Sequence, residues 1–338
     1  MASVWDDLDA YLGPTDLLKK AGQRGTIKAY SNFNAAADVK ALRNAIEGIG
    51  TTESVVIDII TQRSNAQRQI IRKEYKGATG RNLIDDLKGD LCGDFENVMV
   101  GLTMHPAAFD ANEIKGALKG SGTTESTLIE ILASRTNLQI KELAEAYQAE
   151  NQRSLIDDLT SDLSGDFRKA MLILLQGKRD ESINVNQEQA KIDAKALYDA
   201  GENKWGTDES KFIDILCKRS IPQLRKTFEE YKIVSKTNIV ESIKGEMSGD
   251  LEDLLVAVVK CVVNTPAYFA ERLYKSMKGG GTDEATLSRI MISRSEIDLM
   301  DIRAEYKKLV GHSLHSNIKS EVSGDYCTSL LKICGGDD

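Results

Sequence analysis

The sequence predicts an all-α protein assembled from four copies of one unit of about five short helices. Three observations lead there. A set of landmark residues recurs four times in register. Apolar residues recur with the spacing of one helix face, and there is no sustained alternating run of the kind a half-buried strand shows. Only 4 Pro and 6% aromatic residues in 338 favour helix over sheet.

The repeat begins at a Gly-x-Gly-Thr-like turn, whose second Gly is Gly50, Gly122, Gly206 and Gly281. An Arg lies 13 residues on, at Arg63, Arg135, Arg219 and Arg294, and a Tyr 25 residues on, at Tyr75, Tyr147, Tyr231 and Tyr306. A Gly-Asp pair follows, its Gly at Gly93, Gly165, Gly249 and Gly324. Every landmark steps by 72, then 84, then 75 residues, which marks an internal fourfold duplication. The longer middle step places a polar linker in "GKRDESINVNQEQ". The predicted organisation is an N-terminal segment 1–34, repeats 35–106 and 107–178, a linker 179–189, and repeats 190–265 and 266–338.

The helix after each turn carries apolar residues 6, 9 and 10 positions beyond the second Gly: Val56, Ile59, Ile60; Leu128, Ile131, Leu132; Phe212, Ile215, Leu216; Leu287, Ile290, Met291. That spacing is one face of an amphipathic helix. The Thr after the Gly is expected to cap it. Glu53, Glu125, Glu209 and Glu284 fall in its first turn, where the helix dipole favours anions. A later face recurs at Leu83, Ile84, Leu87 and at Leu155, Ile156, Leu159. The repeated Arg residues close their helices, and the expected role is a structural cation meeting carbonyls or carboxylates there.

Taken once, Gly-x-Gly-Thr is a tight turn followed by a capped helix. A second regularity changes its meaning. An acid lies 40 residues beyond the second Gly in every repeat: Asp90, Asp162, Glu246 and Glu321, within "KGDLCGD", "TSDLSGD", "KGEMSGD" and "KSEVSGD". Ca²⁺ takes roughly 6–8 oxygen ligands, commonly backbone carbonyls with a bidentate carboxylate. A Gly-rich turn can aim its carbonyls at one point. Three carbonyls and one carboxylate leave positions open for water or an outside oxygen such as a lipid phosphate.

Gly-x-Gly-Thr followed after a gap of 38 residues by Asp or Glu, four times over about residues 35–338, resembles the annexin family. The resemblance implies a curved disc of four five-helix repeats with its calcium loops on a membrane-facing side. It implies main sites at the carbonyls of Ile46, Gly48 and Gly50 with Asp90, and of Leu118, Gly120 and Gly122 with Asp162. The third loop, "GENKWG", is longer, so its ligands would be Gly201, Lys204 and Gly206 with Glu246; the fourth would use Met277, Gly279 and Gly281 with Glu321. Minor sites resemble those built on Thr51 and Glu53, although a first-turn Glu has the dipole explanation already given. The implied function is calcium-dependent binding to acidic phospholipid membranes, with Ca²⁺ as cofactor. An inhibitory effect on phospholipase A2 would follow from covering lipid. Trp205, inside the third loop, is expected to be turned outward by calcium and to meet the membrane; the alternative is a ring packed permanently against its own repeat.

At the start the chain departs from the family pattern by about fifteen extra residues between Trp5 and Gln23. There Val4, Leu8, Tyr11 and Leu12 fit one helical face, which in some annexins binds a small EF-hand partner; a segment folded back on the protein is the structural alternative. Asp110, Glu113, Arg135 and Arg289 match charged positions of the family's hydrophilic channel, where a structural network is the expected role.

Composition narrows the function classes. A net charge of −8 argues against a polybasic grip on nucleic acid or lipid. The 5 Cys, an odd number without a CxxC pair, read as reduced thiols of a cytoplasmic protein. The opening "MASVWDDLDAYLG" lacks a basic-then-apolar signal, and apolar runs such as "LLVAVV" read as too short to span a bilayer. None of His105, His312 and His315 has nucleophile or zinc spacing, and no Gly-Lys-Ser/Thr follows the turns. An enzyme is therefore not expected. The alternative is a helical-repeat scaffold for protein partners, which would not need an acid at a constant offset.

Overall fold

The computed structural model describes Trp5 and residues 24–47, 50–120, 122–203 and 205–338. All regular structure among the described residues is helical. The first repeat holds α1 Ala35–Glu47, α2 Glu53–Thr61, α3 Asn65–Thr79, α4 Leu83–Asp90 and α5 Gly93–Thr103. The second holds α6 Pro106–Ala117, α7 Glu125–Ser134, α8 Asn137–Asn151, α9 Leu155–Asp162 and α10 Gly165–Leu175. The third holds α11 Gln187–Ala200, α12 Glu209–Lys218, α13 Ile221–Ser235, α14 Ile239–Glu246 and the first part of α15 Gly249–Met277. The fourth takes the rest of α15, then α16 Glu284–Arg294, α17 Leu299–Val310, α18 Leu314–Glu321 and α19 Gly324–Cys334.

α15 is two helices joined across a kink at Asn264, where φ −160° and ψ 93° leave the helical range just before Pro266. At 29 residues it is long and apolar enough, by those measures alone, to cross a membrane, so the apolar stretch runs further than the sequence expectation allowed. Its most apolar window is 72% buried inside the protein, as suits a core helix.

The predicted faces form the core. All twelve apolar residues at positions 6, 9 and 10 are buried, and Tyr75, Tyr147, Tyr231 and Tyr306 are wholly enclosed. The later face is narrower than expected. Leu83, Leu87, Leu155 and Leu159 are buried, whereas Ile156 is exposed and Ile84 half-buried. An eight-residue helix buries one stripe, and in α4 and α9 that stripe includes a carboxylate. Asp86 and Asp158 are buried and accept hydrogen bonds from the Tyr75 and Tyr147 hydroxyls at 2.7 and 2.6 Å.

Capping differs from expectation. The N-cap residues of α2, α7, α12 and α16 are Thr52, Thr124, Asp208 and Asp283, one beyond the Thr that follows the Gly. The two Asp side chains accept from Lys211 N and Thr286 N, whereas Thr52 and Thr124 make no side-chain cap bond.

The chain divides into two compact units. One carries Trp5 and Asp110–Tyr268, hence most of the second and third repeats. In it Trp5 is buried with the Lys260 ammonium 5.0 Å from its ring centroid. The other carries Phe269–Asp338 and the described part of Leu17–Phe109. There Thr26 N and Ile27 N both donate to Ser295 O, and Thr26 Oγ1 donates to Ile333 O, strapping the chain entering the first repeat onto the fourth.

Candidate functional site

Each predicted acid is the last residue of an eight-residue helix: Asp90 of α4, Asp162 of α9, Glu246 of α14 and Glu321 of α18. The next residue is extended in all four, so the chain leaves the helix abruptly and the acid stands at its end. A carboxylate at a helix C-terminus meets the negative end of the dipole, an arrangement that a bound cation relieves.

Each turn is closed by one backbone hydrogen bond across its base. Thr52 N donates to Ala45 O at 3.0 Å, Thr124 N to Ala117 O at 2.9 Å, Asp208 N to Ala200 O at 2.8 Å and Asp283 N to Ser276 O at 2.7 Å. Each acceptor lies one residue before a predicted carbonyl ligand: Ile46, Leu118, Gly201 and Met277. The hydrogen bond draws the two helix ends together, and the Gly-rich segment between them is the loop. Gly50 and Gly206 hold φ +82° and +79°, and Gly120 and Gly279 hold +115° and +116°, conformations that side-chain-bearing residues rarely adopt. Gly122 and Gly281 complete the second and fourth loops. Gly48 and Lys204 lie outside the described residues.

The third repeat shows loop and acid in contact. A Cβ on Gly201 would sit 3.3 Å from Glu246 Cγ, so the backbone there lies directly against the carboxylate stem. From the other end of the loop Thr207 Oγ1 donates to Glu246 Oε2 at 3.1 Å and to Glu246 O at 3.0 Å. Trp205 is fully exposed, which rules out a ring packed into its own repeat in this conformation.

In the unit that joins the first and fourth repeats, Glu53, Asp90, Asp94, Glu284, Glu321 and Asp325 line one cavity of about 510 Å³. Glu53, which the resemblance implies for a minor site with Thr51, opens α2 and lines that cavity. In the unit holding the second and third repeats, partial desolvation and the charges of Glu125 and Asp253 raise the pKa of the exposed Asp250 carboxyl. Among the described residues no three or more His, Cys, Asp or Glu side chains are grouped to hold a metal.

The repeated Arg residues are structural, as expected, and their partners are carboxylates. Arg63 forks onto Asp38 at 2.7 and 2.8 Å, Arg135 onto Asp110 at 2.7 and 2.9 Å, and Arg219 onto Asp193 at 2.7 and 3.1 Å. Each Asp belongs to the helix before the loop and each Arg stands at or just past the end of the helix after it, so the pair clamps the hairpin at the end away from the Gly-rich loop. Sequence reading missed these Asp residues as partners, although they stand 12 or 13 positions before the second Gly. The fourth repeat has Phe269 there; Arg294 lies 4.6 Å from that ring's centroid and pairs with Asp298 at 2.7 Å instead. Of the channel positions, Asp110 is thus bound to Arg135, and Arg289 is buried with Nη2 donating to Thr286 Oγ1 at 3.2 Å. Val4, Leu8, Tyr11 and Leu12 lie outside the described residues, and no comparison supports an EF-hand partner for them.

The family model described as Annexin matches residues 37–102, 109–174, 192–258 and 268–333. The chain belongs to the annexin family. It is 56% identical to human annexin A3 over 338 residues, all of both chains. Among solved structures, annexin III superposes with a TM-score of 0.93 at 58% identity, covering 94% of this chain and 99% of that one. A structure titled calcium-bound annexin (Sm)1 superposes with a TM-score of 0.83 at 35% identity, covering 94% and 95%. The opening "MASVW" and the tail "SEVSGDYCTSLLKICGGDD", which look like the annexin III type, agree with these matches. As an annexin the chain is a non-enzymatic membrane-binding protein of four repeats, and membership implies Ca²⁺-dependent phospholipid binding.

Proposed function

We propose that this annexin binds acidic phospholipid surfaces, phosphatidylserine among them, through Ca²⁺ ions shared between its four loops and lipid phosphate. In each site the ion takes loop carbonyls and one carboxylate from the protein: Asp90, Asp162, Glu246 or Glu321. The lipid supplies the oxygens that complete the shell. The observation that carries this reading is the seating of the Gly201 backbone against Glu246, with the loop-closing hydrogen bond one residue earlier, at Ala200. Four sites of one carboxylate each bind weakly alone and act together on a surface carrying many phosphates. The protein would be cytoplasmic and recruited reversibly to the cytosolic face of membranes. Lipid covered in this way is withheld from phospholipase A2 without any active site in the annexin. Trp205, already exposed on the third loop, would enter the interfacial region, which accommodates both its apolar body and its N–H.

The test is co-sedimentation with phosphatidylserine vesicles across a calcium titration. Changing Asp90, Asp162, Glu246 and Glu321 together to Ala should abolish calcium-dependent sedimentation and leave the far-ultraviolet circular dichroism of the native protein. Undiminished sedimentation of that variant would sink the bridging reading and favour a repeat scaffold whose loops are structural.

A further inference from the structure

The third repeat departs from the first two at a place that touches its calcium loop. In the first repeat the buried Tyr75 hydroxyl donates to Asp86, and Arg81 pairs with the same carboxylate at 2.7 Å. In the second, Tyr147 donates to Asp158, and Arg153 pairs with it at 2.7 Å. The corresponding residues of the third repeat are Tyr231, Thr237 and Ser242, so both charges are replaced by hydroxyls. A carboxylate reaches this place from elsewhere. Glu202, the residue after Gly201 in the loop, accepts from Thr237 Oγ1 at 2.8 Å and from the buried Ser242 Oγ. Beneath them the buried Tyr231 hydroxyl lies beside Ser242 and Ser235, with no carboxylate of its own helix pair to meet.

The loop is therefore pinned at three points. Asp208 N holds its closing end to Ala200 O, Thr207 ties it to Glu246, and Glu202 ties the peptide after Gly201 to the start of α14. We propose that Glu202 is a positioning residue for the third calcium site: its carboxylate, gripped by Thr237 and Ser242, keeps Gly201 seated against Glu246. The proposal rests on the function proposed above. A segment already held in its binding arrangement loses less freedom when the ion arrives, so its affinity is higher than that of the same atoms on a loose loop. The first and second repeats satisfy their Tyr within the helices, so there this anchoring does not reach into the loop. The third repeat also has the longest loop, and hence the most freedom to restrain.

The test is a calcium titration of the full-length protein with phosphatidylserine vesicles, following the Trp205 emission accessible to acrylamide; Trp5 is buried and contributes little to that fraction. Glu202→Ala should raise the calcium half-point about fivefold, the weight of roughly one net hydrogen bond. Ser242→Ala should do much the same, and the double variant little more than either alone, because both remove one contact. Glu202→Gln keeps an oxygen with two lone pairs for the two hydroxyls and should stay within about twofold of the native half-point. Glu202→Ala indistinguishable from native, additive effects of Glu202→Ala and Ser242→Ala, or Glu202→Gln as impaired as Glu202→Ala would each overturn the proposal; the last outcome would make Glu202 an ion ligand instead. Native protein that fails to sediment with calcium and vesicles would reject the membrane-binding reading itself.

Discussion

Removing the Asp110 carboxylate separates a structural pair from its consequence for the ion site. Arg135 and Asp110 meet through two hydrogen bonds of 2.7 and 2.9 Å, with side-chain exposures of only 2% and 9%. Asp110→Ala removes both of these hydrogen bonds from a buried guanidinium that also donates to Ser134 Oγ at 2.9 Å. Breaking a buried pair from one side costs about 3–5 kcal/mol, because the surviving charge stays desolvated. The third repeat is the internal control. Its Asp193 is equally buried, but Arg219 is 40% exposed and can return to water, so Asp193→Ala should cost about 1 kcal/mol. Urea unfolding followed by circular dichroism measures both, with each transition inspected for intermediates before a free energy is assigned. The pair also clamps α6 to α7, whose opposite ends carry the loop proposed for the second calcium site. Asp110→Ala should therefore raise the calcium needed at Asp162 in a variant retaining only that carboxylate of the four. Equal destabilisation by Asp110→Ala and Asp193→Ala would refute the argument from burial, and an unchanged second site would refute the clamp.

Two further outcomes are expected. Because Trp205 is already exposed, calcium alone should move its emission little, and calcium with anionic vesicles should shift it to shorter wavelength as the indole leaves water; no shift with vesicles would remove Trp205 from the membrane contact. Asp250, though exposed, has a pKa raised by partial desolvation and by Glu125 and Asp253, so the folded state binds its proton more readily than the unfolded chain does. The resulting penalty is fully present above the folded pKa and disappears as pH falls through that value toward the unfolded one. Asp250→Asn should then raise the melting temperature slightly at neutral pH, the gain shrinking on acidification, and a gain that grew on acidification would contradict this sign.

Much of this protein was legible in one dimension. Helix faces are local, so residues 6, 9 and 10 beyond each Gly could be assigned to the core from spacing alone, and all twelve are buried there. A fourfold register is likewise a property of text, and it singled out the four acids before any coordinate was known. What the text could not show was which groups meet across helices. Arg63, Arg135 and Arg219 find an Asp 25 or 26 residues earlier in the chain, whereas Arg294 finds Asp298 and the Phe269 ring, and no local rule distinguishes these outcomes. The cap lies one residue beyond the expected Thr, because the backbone closes the loop through Thr52, Thr124, Asp208 and Asp283 before the helix starts. Glu202 looked like an ordinary loop acid until folding brought α14 beside it. Composition and periodicity determine which face of each helix avoids water; only the tertiary structure decides which buried polar group answers which, since that depends on atoms a few ångströms apart in space and dozens of residues apart in sequence.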